Sequence, residues 1–302
     1  MSPSIFRCYI EAGQIAADAI KYAEKTVDVG SRAIDICENV ETFIIKRGGG
    51  LAFPCNVCIN QVSAHYTSPP NDDTIIPPGA VVKVDLGVHV DGYIADTATT
   101  ISFDPEYSMA LDTARDALEK ATKALRPKVK ASQIGSLIEK TIKSRGFKPI
   151  WNLAGHQLSR YVIHAGKSIP NVSSLDGAKI DLDEVYAIEP FVVPKDAAGS
   201  VKNLDKSCIF RFQKKRKVKN PQAENLLDYI IDNFKTLPFA ERWILKQYSQ
   251  KELGQLFQEL LDSKSILDYP VLVEASGAKV VQFEHTVLVG EEKNIVSTQQ
   301  RI

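Results

Sequence analysis

The chain has 302 residues, 44% of them hydrophobic, with 37 basic and 37 acidic side chains. That suits one large domain, or one domain carrying a small insertion, and the balanced charge excludes a global field that would draw nucleic acid or a membrane surface. No run approaches the ~18 apolar residues of a membrane helix, and Met1 to Phe6 lacks the basic stretch and apolar core of a secretory signal.

From the N-terminus, Ile10, Ile15, Ala19, Ile20 and Ala23 recur at helical spacing and predict a first helix. A second starts after Gly30 with Ser31 as its N-cap, carries Ile34, Cys37, Val40 and Ile44 as an apolar stripe, and ends at Gly48-Gly49-Gly50. Cys55-Asn56-Val57-Cys58 is a lone CxxC; a redox pair and half a zinc site are both open readings, though no second pair or thioredoxin-like context accompanies it. With Cys8, Cys37 and Cys208 the cysteines number five, an odd count that implies no disulfide framework and points to a reducing cytoplasm. After a Pro-, Asn- and Asp-rich loop from Thr67 to Gly79, Val81 to Gly87 and Tyr93 to Asp96 form a hairpin around Asp91-Gly92, a strong two-residue turn signal. Helices are predicted over Ser108 to Arg126 and Ile134 to Arg145, the second capped by Gly146, and strands over Val185 to Val193 and Lys279 to Val289. The order helix-helix-hairpin, then helix-helix-strand and strand, reads as one motif used twice. Between them, Ala197 to Asp268 changes character. A basic run, Lys214-Lys215-Arg216-Lys217-Val218-Lys219, precedes helical patterns over 222–234, 238–248 and 249–261, the last capped by Ser249. The run reads as a solvated, strand-like edge in preference to a nuclear signal or nucleic-acid patch.

Five side chains carry the chemistry: Asp85, Asp96, His156, Glu189 and Glu284. A two-residue turn at Asp91-Gly92 pairs Val90 with Tyr93 and, counting outward, Gly87 with Asp96. Asp85 and Asp96 then share one face as diagonal neighbours. Carboxylates that close repel unless a cation lies between them, and Gly87 is expected to leave space for it. Glu189 in Tyr186-Ala187-Ile188-Glu189 and Glu284 in Val281-Gln282-Phe283-Glu284 are lone acids in apolar runs, costly to bury uncompensated. His156 follows Gly155, which permits close backbone approach. Four carboxylates and an imidazole suit two divalent cations, with cobalt, manganese, iron and zinc all compatible, and a bridged pair of cations activates water for hydrolysis. His89 and His285 are expected to be structural, the latter because alternation turns it away from Glu284.

These residues fall in motifs that extend across essentially the whole chain: Ala64-His65-Tyr66-Thr67, Val84-Asp85-Leu86-Gly87 with Asp96 eleven residues after Asp85, Asn152-Leu153-Ala154-Gly155-His156, Ile163-His164-Ala165-Gly166-Lys167, Tyr186-Ala187-Ile188-Glu189 and Gln282-Phe283-Glu284-His285-Thr286. On them the chain resembles type II methionine aminopeptidases, of the compact kind without an N-terminal extension seen in archaea. The resemblance implies an α+β pita-bread (creatinase/aminopeptidase) fold, a curved antiparallel sheet with helices on its outer face and a pseudo-twofold axis. It implies a catalytic domain over 1–196 and 269–302 and an inserted helical, winged-helix-like subdomain over 197–268. It implies removal of the initiator methionine from nascent chains by a metal-bridging water or hydroxide in the cytoplasm. Asp85 would hold one metal, His156 and Glu189 the other, and Asp96 and Glu284 both. Glu189 would shuttle the proton, His65 and His164 would be non-ligand active-site histidines, and Phe53, Ile163 and Tyr269 would line the methionine slot. At Ala154, relatives often carry Asn or Thr, a change expected to reshape the pocket wall. Partners would be polypeptide N-termini beginning with methionine, with a transient ribosome contact where they emerge. Neither a membrane nor a specific nucleic acid is expected.

Two alternatives remain at this level: a prolidase or proline aminopeptidase, which shares the fold and ligand types but usually carries a large N-terminal domain, and a non-catalytic binding protein on the same fold, whose relatives have lost ligands.

Overall fold

The computed structural model describes residues 1–175, 177–245, 248 and 250–299. The first half runs α1 (Pro3–Thr26), α2 (Ala33–Lys46), β1 (Gly50–Ile59), β2 (Val62–Ala64), β3 (Val81–Val90) and β4 (Tyr93–Ser102). Pro3 opens α1, where a missing N–H costs nothing, and Ser2 Oγ accepts from Ile5 N at 3.4 Å. The stripe Ile15, Ala19, Ile20 and Ala23 packs on Val84, Leu86 and Val88 of the hairpin, each full Ile or Val burial stabilising by roughly 1.5–3 kcal/mol. α2 does not use Ser31 as its cap. Ser31 Oγ accepts from Asp28 N at 3.2 Å, closing the turn before the helix, and Arg32 stands at the cap position. Asp91 (φ 50°) and Gly92 (φ 84°) are both left-handed, as a type I′ turn requires. The hairpin keeps the expected register, Val90 opposite Tyr93 and Gly87 opposite Asp96.

The second half runs α3 (Ser108–Ala124), α4 (Ala131–Ser144), β5 (Phe147–Pro149), β6 (Ala154–Leu158), β7 (Ser168–Pro170), β8 (Val185–Ile188) and β9 (Phe191–Pro194). α3 stops two residues short of Arg126 because Leu125 turns extended. Its apolar face packs with that of α4: Ala114, Ala117, Leu118, Ile134, Ile138 and Ile142 share one core. The strand predicted over 185–193 is broken after Ile188, since Pro190 has no N–H to continue a ladder.

Next come β10 (Val201–Phe212), α5 (Pro221–Phe234), β11 (Phe239–Ala240), α6 (Gln250–Asp262) and β12 (Ile266–Glu274), then β13 (Val281–Gln282), β14 (His285–Leu288) and β15 (Ile295–Val296). α5 and α6 enclose a separate core of Phe210, Leu226, Ile230, Phe239, Leu256 and Phe257. Residues 238–245 do not form the helix predicted over 238–248. Phe239 and Ala240 pair with Phe210 and Ile209, and a 3₁₀ turn, Glu241–Trp243, follows, so strand pairing overrides a helical pattern. Ser249, the expected cap of α6, lies outside the described residues. β12 runs through position 268 and pairs with both β10 and β2, so the sheet β11-β10-β12-β2 joins this segment to the first half. The basic run follows β10 without extending it; Lys214, Arg216 and Lys217 are exposed and Lys215 pairs with Asp228.

The remaining sheets are antiparallel: β1-β3-β4, β13-β9-β5 and β15-β14-β8-β6-β7. α1 covers β3 and β4 on the outside, and α3 and α4 cover the second-half strands. This leaves the opposite, inner face free for a site.

Candidate metal centre

Each acid reaches the inner face by a different device. Asp85 and Asp96 come from the hairpin. Glu189 lies where the chain passes between sheets, since β8 pairs with β6 and β14 while β9 pairs with β5 and β13. Glu284 falls in the matching gap between β13 and β14. There Glu284 N donates to Ala98 O at 3.0 Å, and Thr97 Oγ1 donates to Glu284 O at 2.8 Å. Thr286 Oγ1 donates to Asp96 O at 2.8 Å and accepts from Asp96 N at 2.7 Å. These bonds stitch the two halves together and hold Asp96 beside Glu284. His156 stands on β6, and a Cβ at Gly155 would lie 2.4 Å from Ala187 O, so only glycine lets the strands approach this closely.

Ligand atoms of Asp96, His156 and Glu284 lie within 4.8 Å of one another. His156 Nε2 is 3.7 Å from Asp96 Oδ2 and 3.6 Å from Glu189 Oε1. Asp85 completes the ring with a buried Oδ1 that has no hydrogen-bond partner. Burial pushes Asp85 up to about 7. It also raises Asp96, Glu189 and Glu284 well above the carboxylate range, and the neighbouring acids raise them further. Burial holds His156 down to about 3, so it is a neutral nitrogen donor. Among the described residues no lysine or arginine lines the cavity. Two buried and two half-buried acids, a neutral imidazole and an orphaned carboxylate oxygen fit divalent cations of the oxygen- and nitrogen-binding kind.

The space expected for an ion at Gly87 is instead filled by a ring. Phe53 faces Gly87 across β1 and β3, and a Cβ there would stand 2.3 Å from Phe53 Cε1. The missing side chain makes room for a cavity wall.

His65 and His164 face this cavity, which has a volume of about 80 Å³, and Phe53, Ile163 and Tyr269 line it. His65 holds φ 64°, uncommon for a residue with a Cβ and a sign of a backbone fixed by its surroundings. Its Nδ1 lies 3.2 Å from Pro270 O. A carbonyl only accepts, so Nδ1 carries the proton and Nε2 is bare. Burial holds His65 down to about 4. Burial and the Arg211 charge lower His164, whose ring centroid is 4.2 Å from that of His156.

Ala154 does not line the cavity; it pairs with Pro170 at the start of β6. His285 binds Thr298 Oγ1 at 2.9 Å, and His89 accepts from Gly92 N at 3.2 Å, so both serve structure as expected. Cys55 and Cys58, an odd three residues apart on a strand, turn to opposite faces and are free thiols. Sequence reasoning missed Asn56, Ile209 and Pro238, which also line the cavity. It also missed the role of Gln282, whose Nε2 donates to Glu284 Oε2 at 3.1 Å. Only Gln282 had a signal, its two-residue spacing from Glu284 within one motif. A larger crevice of about 610 Å³ lies on the outer side of the same strands, between α1 and α3, where Arg115, Lys123, Glu24 and Glu119 mix both charges. It lacks the concentration of acids seen at the inner site.

The sequence profile of metallopeptidase family M24 matches residues 7–291. A methionine aminopeptidase of Methanothermobacter thermautotrophicus is 42% identical over 294 residues, covering 96% of this chain and 98% of its own length. Among solved structures, a thermophilic Arx1 superposes with a TM-score of 0.85 at 19% identity, over 100% of this chain and 92% of its own. A prolidase from Pyrococcus furiosus superposes with a TM-score of 0.62 at 17% identity, over 100% of this chain but 65% of its own. Both likenesses are of fold alone, and the fold is the pita-bread one.

Proposed function

The chain belongs to metallopeptidase family M24 and is a methionine aminopeptidase, a metal-dependent hydrolase that removes the initiator methionine from protein N-termini; from that premise we propose how its parts divide the work. We assign it to the compact type II class, with 197–268 as the insertion between the two glutamate ligands. We assign two divalent cations, Asp85 holding one, His156 and Glu189 the other, and Asp96 and Glu284 both. The pairing of Asp96 with Glu284 across the seam, and the reach of His156 Nε2 to both Glu189 and Asp96, support this division.

Divalent cations bound there supply a water acidic enough to ionise near neutrality and polarise the scissile carbonyl. Glu189 is assigned as the proton shuttle on the resemblance to the family: beside the activated water, it would take that water's proton and pass it to the leaving amine. His65, bare at Nε2, accepts from a substrate N–H. This leaves His164 to donate to the developing oxyanion. The cavity of about 80 Å³, walled by Phe53, Ile163 and Tyr269 together with the acids, takes one unbranched, polarizable side chain. The free α-amine of the substrate would be held by one of the cations, which confines cleavage to the first residue.

The substrate is a polypeptide beginning with methionine, met in the cytoplasm with a transient ribosome contact where it emerges. The free cysteines suit a reducing compartment. Among the described residues no helix is long and apolar enough to cross a membrane.

The observation that carries this reading is the Asp96–His156–Glu284 cluster at the end of an apolar slot. Metal-stripped protein titrated with cobalt, manganese, iron or zinc is expected to recover methionine release from a Met-Ala-Ser peptide and to leave X-Pro peptides uncut. Preferential cutting of X-Pro would establish the prolidase reading instead. A metal-loaded protein inert to both would favour the non-catalytic one.

A further inference from the structure

Strand β10 passes the mouth of the cavity and presents two faces. Phe210 and Phe212 turn into the core under α5 and α6. By alternation Ile209 and Arg211 face the other way, and Ile209 lines the cavity. Across the ladder, Ile209 is opposite Tyr269, another cavity-lining residue, and Arg211 is opposite Leu267. Arg211 therefore stands one step along from that wall residue on the same face, half-buried. Its guanidinium is close enough to the Tyr269 hydroxyl and the His164 ring to pull both downward in pKa. Among the described residues it forms no ion pair, unlike Lys215 after it and Arg242 beyond.

An extended peptide advances roughly 3.4 Å per residue, the same step as a strand. With the first side chain in the slot, a group two strand positions beyond the wall meets the second or third residue of the substrate. We propose that Arg211 is a specificity-determining residue that binds a carboxylate on the leaving side of the peptide. This rests on the methionine aminopeptidase reading and adds a substrate preference to it. The carboxylate has two sources, an acidic side chain near the scissile bond or the terminal carboxylate of a short peptide. An arginine fork fits either.

The test compares four peptides on the metal-loaded enzyme: Met-Ala-Ser with a free carboxylate, Met-Ala-Ser amide, Met-Ala-Asp amide and Met-Ala-Lys amide. The wild type is expected to favour at least one carboxylate-bearing peptide over Met-Ala-Ser amide by on the order of tenfold in kcat/KM, mainly through KM, and to disfavour the lysine peptide. The free-acid and aspartate arms show which carboxylate is read. Arg211→Gln should bring these ratios close to one, and Arg211→Lys should keep part of them. Each ratio is internal to one variant, so a general loss of folded enzyme does not mimic the effect. A wild type indifferent to both carboxylates, or an unchanged preference in Arg211→Gln, overturns the inference. Failure of the wild type to release methionine from all four peptides overturns the activity assignment itself, and this inference with it.

Discussion

Two buried clusters of charge flank β1, and they are balanced differently. On one side Glu41 of α2 receives the Arg242 guanidinium, Trp243 Nε1 at 2.9 Å and Cys55 N at 3.0 Å. Arg242 Nη1 also donates to Thr67 Oγ1 at 2.7 Å and to Ser68 O at 3.3 Å. Burial pushes Glu41 up to about 7, and Arg242 pulls the other way. On the other side of the strand, Asn56 looks into the cavity, where burial pushes four acids up and three of them are raised further by their neighbours. The first cluster brings its own cation and pins the 3₁₀ turn at Glu241–Trp243 to the body. The second brings none among the described residues. A fold that can compensate a buried glutamate internally, yet leaves four acids together uncompensated, has reserved that place for charge from outside.

The sharpest way to break the contrast is to remove one acid from each cluster. Glu284→Gln takes away an acid placed between both halves, and methionine release should fall by at least about 10³-fold, because cation binding and water activation are lost together. Its metal-free form should melt higher than metal-free wild type, since one member of a repelling set is gone. Activity within tenfold of wild type at saturating metal would show that Glu284 is not part of the centre. At the other cluster the sign is opposite. Arg242→Met leaves Glu41 buried and unpaired, and should destabilise by about 3–5 kcal/mol. The double variant Glu41→Leu/Arg242→Met should regain most of that. Urea unfolding of both would decide it, and a double variant no better than the single would mean that the pair acts through packing and not through charge.

The two clusters were unequally legible in the sequence. The acid cluster could be read because Asp91-Gly92 fixes the hairpin register and places Asp85 and Asp96 on one face. Glu189 and Glu284 stood out as acids in apolar runs, although their backbone device, a break between two sheets, was visible only as Pro190. The Glu41–Arg242 pin could not be read at all. It joins residues 201 positions apart, and Arg242 lies in a stretch whose pattern suggested a helix until β11 pairing drew it straight. The same pairing sets the position of Pro238 and so of one cavity wall. Gly87 shows the limit from the other direction: sequence marks where a side chain is missing, and only packing shows that Phe53 fills the space.

The smallest effect concerns pH. Asp85, near 3.9 in an unfolded chain, is pushed up to about 7 on folding. In the metal-free protein its contribution to stability is full below about 3.9 and is lost as pH rises through about 7. Asp96, Glu189 and Glu284, raised well above the usual carboxylate range by burial and by one another, act in the same direction. The buried histidines His65, His156 and His285 oppose it at lower pH, because folding holds them neutral at about 4, 3 and 4 while the unfolded chain takes up protons below about 6.5. Above about 6.5 the histidines are neutral in both states; Glu41, pushed up to about 7, and Cys37, held down to about 6, titrate there in opposite senses, with or without a cation. Between pH 6.5 and 8 the acids should therefore cost the metal-free protein on the order of 1–2 kcal/mol, roughly 2–5 °C in Tm, which comparison with the loaded form separates from Glu41 and Cys37. A bound cation, which requires the ionised acids, should widen the gap between loaded and metal-free protein over the same range. Thermal melts of both forms would measure it. A gap between loaded and metal-free protein that stays constant or narrows across this window would mean that the acids are compensated within the protein after all, and the distinction between the two clusters would fail.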